Sequence, residues 1–404
     1  MSDRPDSGGQ IPRITLFTAG KDATYALGLT RHLVALGCEV DFIGSDELTP
    51  AGLPDGSRIH FYNLRGDVRE NAGSGQKIWR VLAYYGRLFR YAVTAKPKIF
   101  HILWVNKFEW FDETVLLMYY KLLGKKICFT AHNVNKGKRD GQDSFLNRLA
   151  LKIQYQLCDH IFVHTGRMKA ELAADFNQPD GKISVIPLGM NVIVPSTALT
   201  SAEARRRLGF NSSDRVILFF GNIAPYKGLE FLVAAFNRLA PAEASYRLVI
   251  AGRPKGPPEY WAGVRQAIAQ GPVSDRIRQV IEFVPDEETE LYFKAADVSA
   301  LPYVHIFQSG VLVLSYTFGL PVIASDVGSL KEDIVEGETG YVFEPGNTED
   351  LVRAIKTYFD SDLRRNLASR RPEIQAYARE KFSWAKVAAI TTAVYSELAG
   401  AGKQ

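Results

Sequence analysis

The chain has 404 residues, of which 46% are hydrophobic and 23% charged, and a mass of 45.0 kDa. This composition excludes a mainly disordered, collagen-like or disulfide-scaffold protein, and the length favours two domains over a single core. No window approaches the roughly 18 apolar residues of a membrane span, and the polar start lacks the apolar core of a signal peptide. We therefore expect a cytoplasmic protein. Cys38, Cys128 and Cys158 lie in apolar sequence and are odd in number, which predicts buried thiols.

The positive charge is concentrated in the first half of the chain. Lys and Arg number 49 against 44 Asp and Glu, a net charge of +5. Residues 77–139 hold 13 basic residues, 3 acidic residues and 13 aromatic residues. Such a segment should prefer an anionic partner, although basic residues on a solvated surface are the commoner explanation.

Apolar runs alternate with helix-patterned stretches along the whole chain. In the first half, strands are predicted at 14–17, 39–43, 99–103, 127–131 and 160–164. In the second half, strands are predicted at 216–220, 247–251, 298–301 and 321–324. Strands separated by helices form parallel sheets, so the fold class is α/β with two Rossmann-like domains. Residues 185–195 contain two prolines and a glycine, and we expect the hinge there.

A glycine-rich segment, 219–228, follows the first strand of the second half and precedes a helix. Helix N-termini bind anions through free backbone N–H groups and the helix dipole, and glycine allows close approach. Lys227 would add a full charge to a diphosphate there. An ordinary strand-to-helix turn with a solvated lysine is the alternative, at about even odds from the short motif alone.

A second loop opens a helix at Gln308-Ser309-Gly310. Ser309 suits an N-cap position, and Gly310 would let a ligand approach the backbone amides. An N-cap with no ligand is the alternative here.

Taken together, these segments resemble the retaining GT-B glycosyltransferases of family 4 over nearly the whole chain. The residues that carry the resemblance are Gly20, Thr130-Ala131-His132-Asn133, Ile186-Pro187-Leu188-Gly189, the block 219–228, the run 318–325, Glu336-Gly337-Glu338-Thr339-Gly340 and Ser383-Trp384.

The resemblance implies a division of labour between the domains, with the reaction in the cleft between them. Residues 1–190 would form the acceptor-binding domain and residues 191–382 the nucleotide-sugar-binding domain. Residues 383–404 would form a helix that crosses back to the first domain. His132 would lie near the transferred sugar, although a histidine that packs at a strand end is the alternative. The donor would be bound by Gly20, Asn222, Lys227, Gln308, Ser309 and Gly310.

The sequence also departs from the family pattern. Asn222 occupies a position where many members have an arginine, and Ile306 and Leu314 replace the usual pair of glutamates. The Gln308-Ser309-Gly310 segment resembles a subgroup that lacks this pair, which favours a variant donor site over an inactive protein.

The tripeptide Asp360-Ser361-Asp362 matches the metal-binding motif of other glycosyltransferases. Because it lies between two helix-patterned stretches, helix capping explains it better than metal binding. We predict no metal and no other cofactor beyond the sugar-nucleotide co-substrate.

Residues 77–92 predict an amphipathic helix. On a helical plot Ile78, Val81, Leu82, Tyr85, Phe89 and Ala92 share one face, which we expect to be buried. The opposite face carries Lys77, Arg80, Tyr84, Arg87, Arg90 and Tyr91. Arg80, Arg87 and Arg90 would contact anionic membrane lipids, and a solvated helix face is the alternative.

The resemblance implies transfer of a hexose from a UDP- or GDP-sugar to a glycan or polyprenyl-diphosphate-linked acceptor. We expect retention of the anomeric configuration and a role in exopolysaccharide or glycolipid synthesis. We also expect the protein to lie on the inner face of the plasma membrane and to have no nucleic-acid partner. The alternatives are a sugar-nucleotide 2-epimerase and a non-catalytic nucleotide-sugar-binding subunit.

Overall fold

The computed structural model of the chain describes residues 12–46, 58–66, 74–139, 143–189 and 196–400. The chain divides into two compact units, one of Met1–Gly189 with Ser383–Gln404 and one of Met190–Phe382. These boundaries lie within one residue of the predicted domain limits. In the predicted hinge, residues 190–195 lie outside the described part.

The first unit contains a parallel sheet whose described strands run in the order β3-β2-β1-β4-β5-β6-β7. The strands are β1 Arg13–Phe17, β2 Glu39–Gly44, β3 Ile59–Asn63, β4 Ile99–Ile102, β5 Lys126–Thr130, β6 His160–Val163 and β7 Ile183–Val185. The central strands are buried on both faces, as the continuous apolar runs in the sequence require.

Helices cover this sheet, and several begin at a side-chain cap. The helices are α1 Ala23–Ala35, α2 Ser74–Thr94, α3 Glu109–Phe111, a π-helical segment Asp112–Leu116, α4 Leu117–Leu122, α5 Lys136–Arg139, α6 Phe145–Leu157 and α7 Gly166–Phe176. Asp22, Ser144 and Thr165 each accept a hydrogen bond from the third residue that follows, which fixes the starts of α1, α6 and α7.

The second unit contains a parallel sheet whose described strands run in the order β10-β9-β8-β11-β12-β13. The strands are β8 Arg215–Phe220, β9 Tyr246–Ala251, β10 Ile277–Val280, β11 Val298–Leu301, β12 Val322–Ser325 and β13 Gly340–Phe343. The helices are α8 Ser201–Arg207, α9 Leu229–Leu239, α10 Pro258–Ala269, α11 Asp286–Ala295, α12 Gly310–Thr317, α13 Leu330–Asp333, α14 Thr348–Asp360, α15 Asp362–Arg365 and α16 Leu367–Lys381.

The last helix, α17 Trp384–Gly400, returns to the first unit and packs on α1. Trp384 lies against two glycines, since a β-carbon on Gly28 or Gly189 would come within 2.5 or 2.2 Å of the indole ring. Tyr395 of the same helix reaches the core of the sheet, where its hydroxyl lies 2.5 Å from His101 Nδ1. The prediction that the C-terminal helix packs on the first domain is confirmed.

The predicted α/β fold with two parallel sheets is confirmed, although four short strands were not predicted. These are β3, β7, β10 and β13. In each of β3, β7 and β10 at least one residue is exposed to solvent. All three cysteines are buried free thiols, as predicted.

The tripeptide Asp360-Ser361-Asp362 is a helix junction, as predicted. Asp360 ends α14, and the Ser361 hydroxyl caps α15 by accepting from the Arg364 N–H. Asp362 pairs with the Arg365 guanidinium at 2.7 Å.

The prediction of which face of α2 is buried was partly wrong. Tyr84, Tyr85 and Tyr91 are buried, whereas Ile78, Trp79 and Leu82 are 58–71% exposed. The tyrosines are buried because distant polar groups accept their hydroxyl protons, and these groups are Asn106 for Tyr84, Asp112 for Tyr85 and Asp41 for Tyr91. The side chain of Lys77 lies outside the described part.

Candidate functional site

In the second unit, the predicted phosphate-binding segments meet at the carboxyl end of neighbouring strands β8 and β11. Gly221 follows β8 and has a φ of +96°. Gly252, which follows β9, packs directly on the Gly221 carbonyl. A β-carbon on Gly252 would lie 1.9 Å from the Gly221 oxygen, so the close approach of these loops requires glycine there. Ligands of open parallel sheets bind at this edge.

Lys227 ends a short 3-10 turn, Pro225–Lys227, directly before α9. Gly228 follows with φ +61°, and a β-carbon on it would lie 2.0 Å from the Pro302 carbonyl oxygen. This packing anchors the loop after β8 to the loop after β11. The Lys227 ammonium lies over the Tyr303 ring at 5.1 Å, and only 3.1 Å from the position a β-carbon on Gly221 would take.

Ser309 caps α12, as predicted, by accepting a hydrogen bond of 3.2 Å from the Leu312 N–H. Its hydroxyl lies 3.5 Å from the Tyr303 hydroxyl, so the N-terminus of α12 and Lys227 flank the same aromatic ring. Outside the neighbouring residues and the helix's own backbone, no described heavy atom lies within 4 Å of a β-carbon built on Gly310, so the start of α12 is open on that side. The arrangement provides one ammonium group and a helix N-terminus for an anion.

The other predicted donor residues flank this arrangement. Asn222 follows Gly221 and is half-buried, and Gln308 precedes the cap and is also half-buried. Ile306 and Leu314, which replace the family's glutamates, are partly buried in the loop before α12 and in α12 itself.

In the first unit, His132 follows β5 and lies in an aromatic cage. Its imidazole stacks on Trp104 at 4.6 Å with an interplanar angle of 6°, and it meets the Tyr25 ring edge to face at 4.8 Å. Both contacts hold the ring plane in one orientation.

His164, at the end of β6, fixes the protonation pattern of His132. His164 Nδ1 lies 3.3 Å from the Ile186 carbonyl oxygen, which can only accept, so Nδ1 carries the proton. Neutral His164 then accepts at Nε2, which lies 3.0 Å from His132 Nδ1. His132 therefore donates from Nδ1 and keeps a lone pair on Nε2, an atom that is buried without a hydrogen-bond partner in the described structure.

Burial keeps both imidazoles neutral. It lowers the pKa of His164 to about 4, and it lowers the pKa of His132 well below the ordinary value with help from the neighbouring His164 and His101 imidazoles. Both histidines are therefore neutral at physiological pH.

A cavity of about 330 Å³ lies beside His132 in the first unit. Its walls come from the loops after β1, β4 and β5, from the end of β5, and from the helices that follow β4 and β5. The lining residues are Lys21, Leu103, Trp104, Val105, Glu109, Glu113, Phe129, Thr130, His132, Asn133, Gly137, Asn147, Leu151, Gln154 and Tyr155. Gly20 adjoins this wall with φ +66°, and its backbone packs against the Arg65 side chain.

The structure thus sorts the predicted site residues into three groups. Asn222, Lys227, Gln308, Ser309 and Gly310 belong to the second unit, and Gly20 and His132 belong to the first. Arg80, Arg87 and Arg90 lie on α2, where Arg87 and Arg90 are exposed and Arg80 is half-buried.

His164 was not among the predicted site residues. The signal that could have found it is weak, because its contact with His132 joins strand ends that are 32 residues apart. The cavity residues on α6 were also missed, since a lone glutamine in a helix carries no pattern.

Known proteins resemble both units. Residues 23–193 match the family model "Glycosyltransferase Family 4", and residues 214–361 match the model "Glycosyl transferases group 1". The chain is a glycosyltransferase of the GT-B fold. A D-inositol 3-phosphate glycosyltransferase of Corynebacterium glutamicum is 25% identical over 385 residues, which cover 92% of this chain and 90% of the relative.

Solved structures show the same fold. Sucrose-phosphate synthase from Thermosynechococcus elongatus matches with a TM-score of 0.74 and 20% identity, covering 97% of this chain and all of the other. HepE of Anabaena, in complex with UDP and glucose, matches with a TM-score of 0.70 and 16% identity, covering 96% of this glycosyltransferase and all of HepE.

Within the described ranges, no helix combines the length and the apolar character that a bilayer crossing needs.

Proposed function

We propose that this glycosyltransferase transfers a hexose from a nucleotide diphosphate sugar to a sugar or lipid-linked glycan, with retention of configuration. The observation that carries the proposal is the meeting of Lys227 and the N-terminus of α12 beside one tyrosine ring at a sheet edge. HepE, which has the same fold, was solved with UDP and with UDP-glucose, and a uridine donor is therefore the first to test.

In the proposed mechanism, the second unit stabilises the leaving diphosphate. Lys227 and the backbone amides of Ser309 and Gly310 would act on the charge that develops as the glycosidic bond breaks. The lone pair on His132 Nε2 would accept a hydrogen bond from a sugar hydroxyl and orient that sugar. The Gln308-Ser309-Gly310 segment would take the place of the family's glutamates.

The first experiment is Lys227→Ala, assayed by release of UDP from UDP-sugars in the presence of glycan acceptors. A charge-assisted contact is worth about 1.5–3 kcal/mol, so kcat/KM should fall about ten- to a hundredfold. The matched control is Lys356→Ala, because Lys356 is exposed on α14. Unchanged kcat/KM in the Lys227 variant refutes its role, and an inverted product anomer by NMR refutes retention.

We also propose that transfer needs no metal ion, since Lys227 and the helix amides supply the positive charge. In the described part of the chain, no three His, Cys, Asp or Glu side chains are arranged to hold a metal. Turnover should be unchanged by excess EDTA. Loss of turnover that Mg²⁺ or Mn²⁺ restores would contradict this proposal.

The acceptor is proposed to be membrane-bound, because the first unit exposes a broad apolar surface. It spans three neighbouring helical segments: α2, the stretch 108–122 and the start of α6. This docking surface consists of Ile78, Trp79, Leu82, Phe108, Trp110, Val115, Met118, Leu122, Phe145 and Leu146.

Exposed basic residues lie close in sequence to the docking surface, which favours anionic lipid over a neutral partner. Arg87 and Arg90 are exposed on α2, and Lys96, Lys98 and Lys107 are exposed nearby in sequence. Tryptophans suit the headgroup level of a bilayer, and each basic residue near an anionic surface is worth about 1 kcal/mol. We propose peripheral attachment to the inner face of the plasma membrane.

Vesicle co-sedimentation tests this attachment with neutral and anionic vesicles at low and high salt. Arg80→Glu/Arg87→Glu/Arg90→Glu should lower binding to anionic vesicles by roughly a hundredfold at low salt. Trp79→Glu/Leu82→Glu should lower binding to both kinds of vesicle, whereas Leu36→Glu, at an exposed leucine of the same unit, should not. Binding that ignores lipid charge, or a stable complex with a second copy of the chain in place of vesicles, would refute the proposal.

A further inference from the structure

A cavity of about 780 Å³ lies in the second unit, at the amino end of its sheet. Its walls come from α8 and the loop after it, from α15 and α16, and from Asp297, the residue before β11. Lys227 lies at the carboxyl end of the same sheet, and the six residues of β8 separate the two ends by about 20 Å. The cavity is therefore distinct from the proposed donor site.

The lining of this cavity is strongly positive. Four arginines face one carboxylate, which gives a formal net charge of +3, and these residues are Arg205, Arg206, Arg364, Arg371 and Asp297. Three acidic residues that flank the lining segments pair instead with arginines outside the lining, and the pairs are Glu203 with Arg207, Asp214 with Arg247 and Asp362 with Arg365. These acids therefore do not neutralise the cavity.

The carboxylate of Asp297 is already fully used. Its Oδ1 lies 2.7 Å from Arg205 Nη2 and 3.1 Å from Arg364 Nη2, and its Oδ2 accepts from the Val216 N–H at 2.8 Å. One carboxylate is thus shared by two guanidinium groups. One positive charge of these two arginines stays without a counterion, which is costly where the groups are shielded from water.

Arg371 adds a second positive charge without a carboxylate partner among the described residues. Its guanidinium donates to the backbone carbonyls of Phe318 at 3.0 Å and Ala296 at 2.7 Å, which fix its position and leave its charge. Burial lowers the pKa of Arg371, and the like charges of Arg205 and Arg364 lower it as well, although Asp297 raises it. Arg206, which is exposed on α8, contributes a further charge.

The chemistry of this lining suits a phosphate group. Guanidinium groups bind phosphate oxygens through paired N–H donors, and a concave positive surface concentrates anions. The volume lies within the roughly 300–1,000 Å³ of small-molecule sites, which leaves room for an organic group beside the phosphate. The half-buried Phe210 ring offers that group an apolar wall.

We propose that this cavity binds a phosphorylated small molecule, such as a sugar phosphate or a nucleoside monophosphate. The site would be a second anion site of the chain, in addition to the proposed donor site. It does not depend on the proposed function, because none of its residues takes part in the proposed transfer.

Isothermal titration calorimetry on the full chain at low salt tests this site. The probes are glucose 6-phosphate and AMP, with glucose and adenosine as their uncharged counterparts. At least one of the two phosphates should bind, its uncharged counterpart should bind at least tenfold more weakly, and the phosphate should bind more weakly at about 1 M salt. No binding of either phosphate, or equal binding of the uncharged counterpart, overturns the proposal.

Variants of the lining locate the bound phosphate. Arg206→Glu and Arg364→Gln should each weaken phosphate binding at least tenfold, whereas Arg265→Glu, at an exposed arginine of α10, should change it less than twofold. The melting temperature shows whether each variant has folded. Because Arg206 is exposed, Arg206→Glu decides the test if loss of the Asp297 contact unfolds Arg364→Gln. Unchanged binding in the folded lining variants overturns the proposal.

Lys227→Ala separates this cavity from the donor edge. It should change phosphate binding less than twofold, because Lys227 lies at the other end of the sheet. Binding that is lost in Lys227→Ala and retained in Arg206→Glu would place the phosphate at the donor edge and overturn the proposal. Release of UDP from UDP-sugars tests the proposed transferase function separately, so failure of one proposal leaves the other standing.

Discussion

Replacement of His164 by leucine should impair catalysis although this residue lies behind His132, not in the cavity wall. The substitution removes the acceptor for the His132 Nδ1 proton, a contact of 3.0 Å. His132 then either keeps a buried unpaired N–H or moves its proton to Nε2. In both cases the arrangement that leaves an acceptor on Nε2 is destabilised.

The size of the effect follows from the cost of an unsatisfied buried donor, about 1–3 kcal/mol. If that cost is borne in the transition state, kcat/KM for glycosyl transfer falls about 5- to 150-fold. The assay is steady-state transfer to a glycan acceptor, together with ¹⁵N NMR of the histidine ring nitrogens to follow the His132 tautomer.

Two further variants separate positioning from simple stability. His164→Gln can accept from His132 through its amide oxygen and donate to the Ile186 carbonyl through its amide nitrogen, so it should recover most of the activity. His160→Leu removes a buried histidine of the same strand, whose Nε2 lies 2.9 Å from the Ser184 hydroxyl, and it should leave the His132 tautomer unchanged. Wild-type kcat/KM in His164→Leu, or equal impairment in His164→Gln, would show that His164 does not position His132.

Two predictions concern stability. The pKa values of His101 and His164 are lowered by burial to about 3 and about 4, so the unfolded chain binds more protons between pH 6.5 and 4. As the pH is lowered across this window, the free energy of unfolding should therefore decrease, by about 3 kcal/mol for His164 alone. Asp112, whose pKa burial raises to about 6, partly offsets this loss. A melting temperature that rises from pH 7 to pH 5 would contradict this. Gly28→Ala should lower the free energy of unfolding by about 1–3 kcal/mol, because the added β-carbon would lie 2.5 Å from the Trp384 indole. Gly263→Ala, whose β-carbon would have no neighbour within 4 Å, should leave the free energy of unfolding unchanged or raise it. Calorimetry measures both variants.

The phosphate-binding segments could be predicted from sequence because their geometry is local. The block 219–228 contains the end of a strand, the glycines with positive φ and the lysine before the next helix. The same holds for Ser309, whose capping bond reaches only three residues along the chain. Each of these features depends on neighbours in sequence.

Contacts between distant segments could not be predicted in this way. A helical plot divides α2 into faces but does not identify the face that packs, and the partners of its buried tyrosines lie 22 to 50 residues away. The orientation of His132 likewise depends on His164 across two strands. Whether a tyrosine is buried, and which tautomer a histidine adopts, depends on partners that the periodicity of the sequence does not reveal.

The return of α17 to the first unit affects the order in which the protein can fold during synthesis. The second unit is continuous in sequence, but the first is completed only by residues made after the whole second unit. At about 5–20 residues per second, some 10 to 40 s separate the emergence of Gly189 from that of α17. Throughout that interval α1 and the Gly28 and Gly189 surface lack the Trp384 indole that covers them. A nascent chain therefore exposes an apolar face late in its synthesis, and a message truncated before codon 384 yields a first domain without its last packing layer.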